Sequence, residues 1–176
     1  MLRILVLCPP VLILAACVAP SQPAPAPSPS PAPLPRPAPA PSPAAPVVDW
    51  PDREWSPGTW AYAQDARGSI ARYGVPGSDA ELTLRCDRAA RALYLARRGS
   101  APAGAAMTVR TTSTARTLAM QPTGEGYMAA RLTPSDGVID AMGFSRGRFM
   151  VQLPPLAPLI LPSWAEPLRV AEDCRG

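Results

Sequence analysis

The sequence predicts a mainly β domain over residues 47–176, a small antiparallel β-barrel or sandwich with two short α-helices, one of them C-terminal. Apolar and polar residues alternate without a break over 80–87, which is the pattern of an antiparallel strand with one buried face. Other short segments recur at hairpin spacing, for a total of seven or eight strands. Helix-start signals come late, at Thr133 and Ser163. Many short strands with few helices favour a single antiparallel β architecture.

Two short segments with turn chemistry precede the clearest strand. Segments 60–63 and 69–73 flank a turn at 65–68 and lead to a breaker at 75–79 that contains proline and glycine. In the strand at 80–87, the residues expected to face the core are Ala80, Leu82, Leu84 and Cys86. The other strands are predicted at 92–96, 106–111, 116–120, 127–132, 148–153 (Phe149, Val151 and Leu153 inward) and 156–161.

Both helices are predicted from capping chemistry. The hydroxyl of Thr133 would cap the first helix, with Pro134 at its first position and Asp136 in its first turn. Its inward residues would be Val138, Ala141 and Met142. Ser163 and Glu166 have the spacing of a capping box that opens the second helix. The apolar stripe of that helix would consist of Trp164, Leu168 and Ala171, with Cys174 close by.

The N-terminal segment has the layout of a signal peptide. Arg3 precedes an apolar run at 4–14, about half as long as a helix that spans a bilayer. The run ends in Leu-Ala-Ala-Cys at 14–17, a box that resembles the signal of bacterial lipoproteins. This resemblance implies that residues 1–16 are removed and that the thiol of Cys17 carries lipid. An ordinary secretory signal, in which Cys17 is incidental, is the alternative.

The resemblance also bears on location, and a linker follows the anchor. Val18 stands where aspartate retains proteobacterial lipoproteins on the inner membrane, which implies the outer membrane, on its periplasmic side. Residues 17–46 form the lipidated cysteine and a linker in which 13 of the 27 residues over 20–46 are proline. Such a tract favours polyproline II, with a reach of roughly 80 Å if fully extended. A spacer is the favoured interpretation, and a proline-rich ligand for a binding domain is the alternative.

Two cysteines remain for the mature domain. Cys8 would be discarded with the signal and Cys17 would be lipidated, which leaves Cys86 and Cys174. A pair of cysteines in an oxidising envelope compartment predicts one disulfide. Two buried free thiols are the alternative. A disulfide would join the C-terminal helix to the strand at 80–87.

Composition excludes several kinds of chemistry. The chain contains no histidine, and all 17 basic residues are arginine. Without histidine or lysine, Ser-His-Asp, Cys-His, Schiff-base and Ser-Lys arrangements are impossible, and the usual imidazole metal ligand is missing. From residue 47 onward the chain has 15 arginines and 13 carboxylates, and this nearly balanced charge is not typical of a nucleic-acid-binding protein. We therefore expect no enzyme activity, cofactor, metal or nucleic-acid partner.

Three groups of residues are candidate sites. Asp136 and Asp140 lie one helical turn apart and could act as the paired carboxylates of a glycosidase, although a helix-capping role is favoured. Arg146 and Arg148 could clamp an anion across the turn at Gly147. The tryptophans of the N-terminal flank could stack on sugar rings or cover one end of the core; they are Trp50, Trp55 and Trp60.

The favoured interpretation of the arginine turn is structural. Gly147 would then only permit the turn, and Arg148 would pair with an acid such as Glu172 or Asp173. We take Arg146 and Arg148 as the tentative ligand-binding residues.

The C-terminal part resembles a known group of proteins. The segments 145–149, 161–166 and 169–175 are similar to the end of uncharacterised envelope proteins from sphingomonad-type alphaproteobacteria, and this resemblance implies no activity. The sequence as a whole therefore predicts a lipid-anchored outer-membrane protein with a non-catalytic structural or binding role. Peptidoglycan or another envelope protein is the candidate partner. The alternative is a cell-wall glycan hydrolase that uses paired carboxylates.

Overall fold

The computed structural model describes residues 49–176, which form two antiparallel sheets and two α-helices. After a single 3-10 turn at Trp50–Asp52, the strands β1 to β8 are Thr59–Asp65, Gly68–Gly74, Leu82–Asp87, Ala92–Arg98, Ala106–Arg110, Ala115–Ala119, Gln121–Pro122 and Tyr127–Leu132. They are followed by α1 (Gly137–Gly143), β9 (Arg148–Gln152), β10 (Leu159–Pro162) and α2 (Ala165–Arg175).

The sheets stack as a sandwich. The large sheet has six strands in the order β1-β2-β3-β4-β8-β7, and the small sheet has four in the order β10-β9-β5-β6. Neither sheet closes on itself, so of the two predicted architectures the sandwich is confirmed and the barrel is not. The short hairpin connections explain the antiparallel pairing, because each strand returns directly beside its predecessor along most of the chain.

The core lies between the two sheets and under α2. The predicted strand at 80–87 forms β3, and its inward residues Leu82, Leu84 and Cys86 are fully buried. Phe149 and Val151 of β9 face them from the small sheet, as the alternation predicts. The C-terminal helix α2 packs on the inner side of β2 and β3. Alternation of side chains across each strand therefore places one apolar face of each sheet in a single core.

The predicted disulfide joins α2 to this core. Cys86 and Cys174 are bonded, and their Cα atoms lie 5.5 Å apart, within the range that disulfides adopt. The bond closes a separation of 88 residues, so it ties the last helix to the middle of the domain.

The first helix begins later than its predicted cap. Thr133 lies in a turn, where its carbonyl accepts a hydrogen bond from the N–H of Asp136 at 3.0 Å. Asp136 is the N-cap, and its carboxylate accepts the N–H of Val138 at 3.0 Å. Aspartate caps a helix at least as well as threonine. Asp136 lies closer than Thr133 to the buried residues of the helix, and the helix begins directly after it. Ile139 is also fully buried, a contact that the prediction missed.

The predicted capping box of the second helix is wrong. Trp164 is the N-cap and makes no side-chain capping bond, so Ser163 precedes the helix by one residue too many to cap it. The N–H of Ser163 donates instead to the carbonyl of Gly147 at 3.3 Å. Trp164 is also 43% exposed, because its extended backbone removes it from the helical repeat. The buried residues of α2 are Pro167, Val170 and Ala171.

Several strand boundaries also differ from the prediction. The last strand begins at Leu159, because residues 154–158 contain prolines that cannot donate to a ladder and Leu156 instead closes a turn onto Leu153. The segments at 60–63 and 69–73 are the centres of longer strands that form the β1–β2 hairpin. Within residues 49–176, no helix is long and apolar enough to span a bilayer.

Candidate functional site

The turn at Ser145–Gly147 is built into the fold by its neighbours. Gly147 has a φ of +77°, a conformation that glycine adopts readily, so the predicted turn is confirmed. The buried hydroxyl of Ser145 accepts the N–H of Thr112 at 3.0 Å, and the N–H of Arg146 donates to the hydroxyl of Thr112 at 3.1 Å. These bonds fix the turn to the hairpin between β5 and β6.

The two candidate arginines have different surroundings. Arg148 donates to the carbonyl of Arg53 and lies 5.5 Å from the ring centre of Trp55, so it holds the N-terminal flank against the domain. Its expected pairing with Glu172 or Asp173 is wrong, because within residues 49–176 it makes no ion pair; Asp173 instead accepts the Tyr62 hydroxyl at 2.6 Å. Arg146 is exposed. The turn therefore presents a single available arginine, which is weak support for an anion clamp.

The two candidate carboxylates of α1 are each engaged by a different arginine. Asp136 lies 2.7 Å from a guanidinium nitrogen of Arg116 while it caps the helix, and Asp140 lies 2.7 Å from Arg175. A glycosidase needs one carboxyl group that can give up a proton and a second that faces the same substrate. Carboxylates held in separate ion pairs fit the capping interpretation better.

The tryptophans of the N-terminal flank do not form one platform. Trp60 is buried, donates its indole N–H to the carbonyl of Pro162 at 3.0 Å and packs edge-on against Tyr73 at 5.2 Å between ring centres. Trp55 is 52% exposed and Trp50 is half-buried in the 3-10 turn. The core-covering role is therefore confirmed for Trp60.

Cys17 and the linker lie outside the described residues.

A different surface has the shape of a binding site, on the face of the large sheet that points away from the core. An open depression of about 720 Å³, here called the trough, lies across β2, β3, β4 and β8. Its floor is a row of small residues that face one another across three neighbouring strands, namely Thr83, Ala96 and Ala129. Small side chains at this row let a ligand approach the sheet closely.

The trough is framed by two copies of one short pattern. Residues 94–98 on β4 read Tyr-Leu-Ala-Arg-Arg, and residues 127–131 on β8 read Tyr-Met-Ala-Ala-Arg. In both, the residues at positions one, three and five point away from the core. We call these outward sets the twin Tyr-Ala-Arg segments. Because the strands are antiparallel, the outward residues pair as Tyr94 with Arg131, Ala96 with Ala129, and Arg98 with Tyr127.

This pairing places an aromatic ring at each end of the trough. Tyr94 and Tyr127 lie about 13 Å apart along the strand direction, since four residues of about 3.3 Å separate their rows. Both are half-buried. The hydroxyl of Tyr127 donates to the carbonyl of Ala80 at 2.8 Å, and burial raises the pKa of this phenol, so it stays neutral. Within residues 49–176, Tyr94 makes no side-chain hydrogen bond.

Aspartates neutralise two of the arginines at the Tyr94 end. Arg85 lies 2.8 Å from Asp65, and Arg67 lies 3.0 Å from Asp87. The hydrogen bond from Arg85 lowers the pKa of Asp65, and that of Asp87 is lowered by the backbone N–H of Ala90 and then by Arg67. Both carboxylates therefore remain charged at neutral pH, and both guanidinium groups are held in fixed positions.

The other arginines of this face differ in their partners. Arg98, at the Tyr127 end, is bonded to Glu81. Arg72, beside the floor, and Arg131, beside Tyr94, are exposed and take part in no ion pair within residues 49–176. Two cations of the trough face are thus free to meet a ligand.

The sequence contained a signal for this site. A repeat of tyrosine, alanine and arginine at alternate positions of two strands is visible without a structure, but only the antiparallel register superimposes the two copies. Among residues 49–176, no cluster of three or more acidic or cysteine side chains could hold a metal ion. Comparison of the chain with family models, curated proteins and solved structures finds no match.

Proposed function

We propose that this chain is a lipid-anchored protein of the outer membrane that binds an envelope glycan in the trough of the large sheet and does not cleave it. The observation that carries the proposal is the pair of twin Tyr-Ala-Arg segments, with a ring at each end of a floor of small residues. The predicted anchor at Cys17 and the proline-rich linker would let the domain reach a polymer away from the membrane.

The chemistry of the trough suits a sugar polymer. The apolar C–H face of a pyranose packs on an aromatic ring, and two rings about 13 Å apart can support successive sugars. Sugar hydroxyls both donate and accept, so they pair with fixed guanidinium and carboxylate groups such as Arg85 and Asp65. A lipid or other apolar ligand prefers a concave and mainly apolar pocket, whereas this one is open and lined largely by polar side chains.

A non-catalytic role follows from the state of the carboxylates. The trough is lined by Asp79 and Glu125, and both are exposed residues of loops. The general acid of a glycosidase is normally held in an apolar environment that keeps it protonated near neutral pH. Asp136 and Asp140, the pair suggested by sequence, lie outside the trough and in ion pairs. Binding without cleavage is the simpler chemistry for this set of groups.

The experiment is co-sedimentation of the full chain, purified in detergent, with insoluble peptidoglycan sacculi. We expect the wild type to sediment, and the double variant Tyr94→Ala, Tyr127→Ala to lose at least about 10-fold in affinity, because stacking on an aromatic ring contributes on the order of 1 kcal/mol per sugar. The double variant Tyr94→Phe, Tyr127→Phe keeps both rings and should bind. Arg146→Ala should also bind, because the turn at Gly147 lies outside the trough.

A second variant distinguishes loss of the binding site from loss of folding. Ala129→Leu adds a branched side chain to the floor of the trough at a half-buried position, so it should block binding with little effect on the thermal midpoint. Normal sedimentation of both Ala129→Leu and the tyrosine-to-alanine double variant would place the binding elsewhere. If Arg146→Ala is the only variant that loses binding to sacculi, the binding site is the turn at Gly147 and not the trough.

Cleavage is tested on the same mixtures. We expect no release of reducing sugar from sacculi by the wild type. If sugar is released, and if the release stops in Asp79→Asn or Glu125→Gln, or in Asp136→Asn or Asp140→Asn, the chain is a hydrolase and the proposal is wrong.

The anchor is tested separately in cells. Cys17→Ser should abolish partitioning into a detergent phase, because the apolar segment at 4–14 is otherwise removed with the signal. Cys8→Ser is the control, since that residue would be discarded. A Cys17→Ser protein that still partitions with detergent would show that the anchor is something else.

A further inference from the structure

The two ends of the trough share a sequence pattern but differ in charge. Resting on the proposed function, we propose that the glycan is acidic: a carboxylate-bearing sugar lies at the Tyr94 end, where Arg131 receives the carboxylate, and a neutral sugar lies at the Tyr127 end. The basis is the difference between Arg131 and Arg98, which occupy equivalent positions in the twin segments.

The Tyr127 end is closed to an anion. Arg98 is bonded to one oxygen of Glu81, and the other oxygen of Glu81 lies 2.6 Å from Arg97. The walls at this end also carry the loop residues Asp79 and Glu125. An incoming carboxylate would meet acidic groups and a guanidinium that is already occupied, whereas a hydroxyl-bearing sugar meets acceptors for its hydrogen bonds.

The Tyr94 end is open to an anion. Arg131 pairs with Tyr94 across the strands, and its only side-chain hydrogen bond within residues 49–176 is a long one of 3.4 Å to the carbonyl of Ala90. Arg72, which also has no acidic partner in the described part of the chain, pairs with Thr83 in the central row of the floor, midway between the two ends. A guanidinium group binds a carboxylate in the plane of its own fork, with two parallel hydrogen bonds.

A single negative charge fits this end best. At this end Asp87 neutralises Arg67 and Asp65 neutralises Arg85. Of the two arginines that pair with Tyr94 across the strands, Arg85 and Arg131, only Arg131 is uncompensated within residues 49–176. The same two aspartates would oppose a dianion such as a phosphate monoester more strongly than a monoanion. The structure thus favours a sugar acid over a sugar phosphate.

The test uses neutral and acidic disaccharides that differ in one group. Cellobiouronic acid and cellobiose differ by a carboxylate in place of a hydroxymethyl group. N-acetylmuramic acid joined to N-acetylglucosamine differs from the N-acetylglucosamine disaccharide by a lactyl ether. Titration of the full chain, followed by NMR at low salt, should show at least about 10-fold tighter binding of the acidic member of a pair, because charge-assisted hydrogen bonds are about twice as strong as neutral ones.

Arginine variants locate the charge. Arg131→Gln should reduce the preference for the acidic sugar and leave the binding of the neutral sugar unchanged. Arg72→Gln, midway between the two ends, should reduce the preference less, and Arg146→Gln should change neither. The preference should also weaken as salt rises from about 50 mM to about 500 mM, because mobile ions screen exposed charges. Preference for the acid in only one pair would identify the source of the sugar, uronic or muramic, and supports the inference.

Three outcomes would overturn the inference. Equal binding of neutral and acidic disaccharides, with both arginine variants unaffected, would refute it while leaving the proposed function intact. Tighter binding of cellobiose 6′-phosphate than of cellobiouronic acid would replace the carboxylate with a phosphate. If neither sacculi nor any disaccharide binds, the proposed function fails and the inference fails with it.

Discussion

Replacing Glu81 by glutamine tests how the Tyr127 end of the large sheet is held together. Glu81 precedes β3 and accepts hydrogen bonds from two guanidinium groups, those of Arg97 and Arg98. The side chain of Arg97 is only 8% exposed, and it also donates to two backbone carbonyls, those of Glu81 at 3.2 Å and Arg98 at 2.8 Å. The variant keeps the shape of the glutamate side chain and removes its charge, so Arg97 becomes a nearly buried cation without a counter-ion.

The expected loss of stability lies between two limits. Removing one partner of a fully buried ion pair costs about 3–5 kcal/mol, and an exposed pair contributes about 0.2–1 kcal/mol. The Glu81 side chain is 25% exposed and Arg97 retains its carbonyl acceptors, so water and backbone compensate part of the loss. We therefore expect a decrease of about 2–3 kcal/mol in the free energy of unfolding, or about 10 °C in Tm for a domain of this size.

The pH dependence supplies an independent check. Burial raises the pKa of Glu81, but the hydrogen bonds from Arg98 and Arg97 outweigh it and lower the pKa below its ordinary value of 4.5. A carboxylate with a lowered pKa in the folded state contributes stability that is fully present above the unfolded pKa and is lost as the pH falls through the folded value. The difference between wild type and Glu81→Gln should thus be constant near neutral pH and shrink below about pH 4.5.

Urea unfolding followed by circular dichroism, at pH 7 and at several values down to pH 3, measures both effects. Glu125→Gln is the matched control, because Glu125 is exposed in a loop and makes no ion pair within residues 49–176; it should change stability by less than about 0.5 kcal/mol. A Glu81→Gln protein as stable as the control at pH 7, or a difference that does not shrink in acid, would contradict the reasoning.

Two further stability predictions concern the attachment of the helices. The double variant Cys86→Ala, Cys174→Ala should lower the free energy of unfolding by up to about 4–5 kcal/mol, because the disulfide closes a separation of 88 residues. Reduction of the wild type should cause the same loss. Equal denaturation midpoints for the wild type and the variant would contradict this prediction. Gly143→Ala should cost about 1–3 kcal/mol, because its Cβ would overlap the side chain of Leu168. Gly137→Ala, in open space on the same helix, should be neutral or stabilising. Equal thermal midpoints for the two alanine variants would show that α1 does not pack on α2 through Gly143 and Leu168.

Alternation made the central strands predictable. The predicted strand at 127–132 has the same bounds as β8, and the inward residues Leu82, Leu84 and Cys86 are those of β3. The inward position predicted for Ala80 is wrong, because Ala80 lies before β3 and lines the trough. These strands are buried on one side only, so period-two patterning reports their orientation directly. The disulfide followed from the same logic, because the alternation placed Cys86 on the core side and only one partner remained.

Helix starts were harder, because several residues near each start can serve as a cap. Thr133 and Asp136 both offer an oxygen, and the choice between them depends on the tertiary packing of Val138 and Met142 rather than on local sequence. At Ser163 the backbone N–H is used by the carbonyl of Gly147, a contact that only the folded chain defines.

The trough could not be located from sequence, because it depends on which strands are neighbours. The twin segments are 33 residues apart, and they face each other only because β8 returns to pair with β4 after the hairpin of the small sheet. The same polar residues on strands in another order would be scattered over the surface. The sequence predicted the strands that carry these side chains, and the topology of the sheet brings the side chains together.

The layering of the sandwich explains why a ligand would use this face. The inner faces of both sheets form the core, and Met150 and Ile160 on the outer face of the small sheet are also buried, where the N-terminal flank packs. The outer face of the large sheet keeps half-buried tyrosines and exposed arginines. Cross-strand pairs of this kind contribute about 0.2–1 kcal/mol each to a sheet, so they stabilise the sheet independently of any ligand.

The two proposed roles of the twin segments, stabilising the sheet and binding a ligand, predict different results for the same variants. If the tyrosines only stabilise the sheet, Tyr94→Ala and Tyr127→Ala lower the unfolding free energy and leave the binding of sacculi unchanged in folded protein. If they form the site, Ala129→Leu removes binding while it leaves both tyrosines and their arginine neighbours in place. Only the second role also requires an exposed Arg131 beside Tyr94 without a carboxylate, since a purely structural arrangement would gain from an acidic partner there.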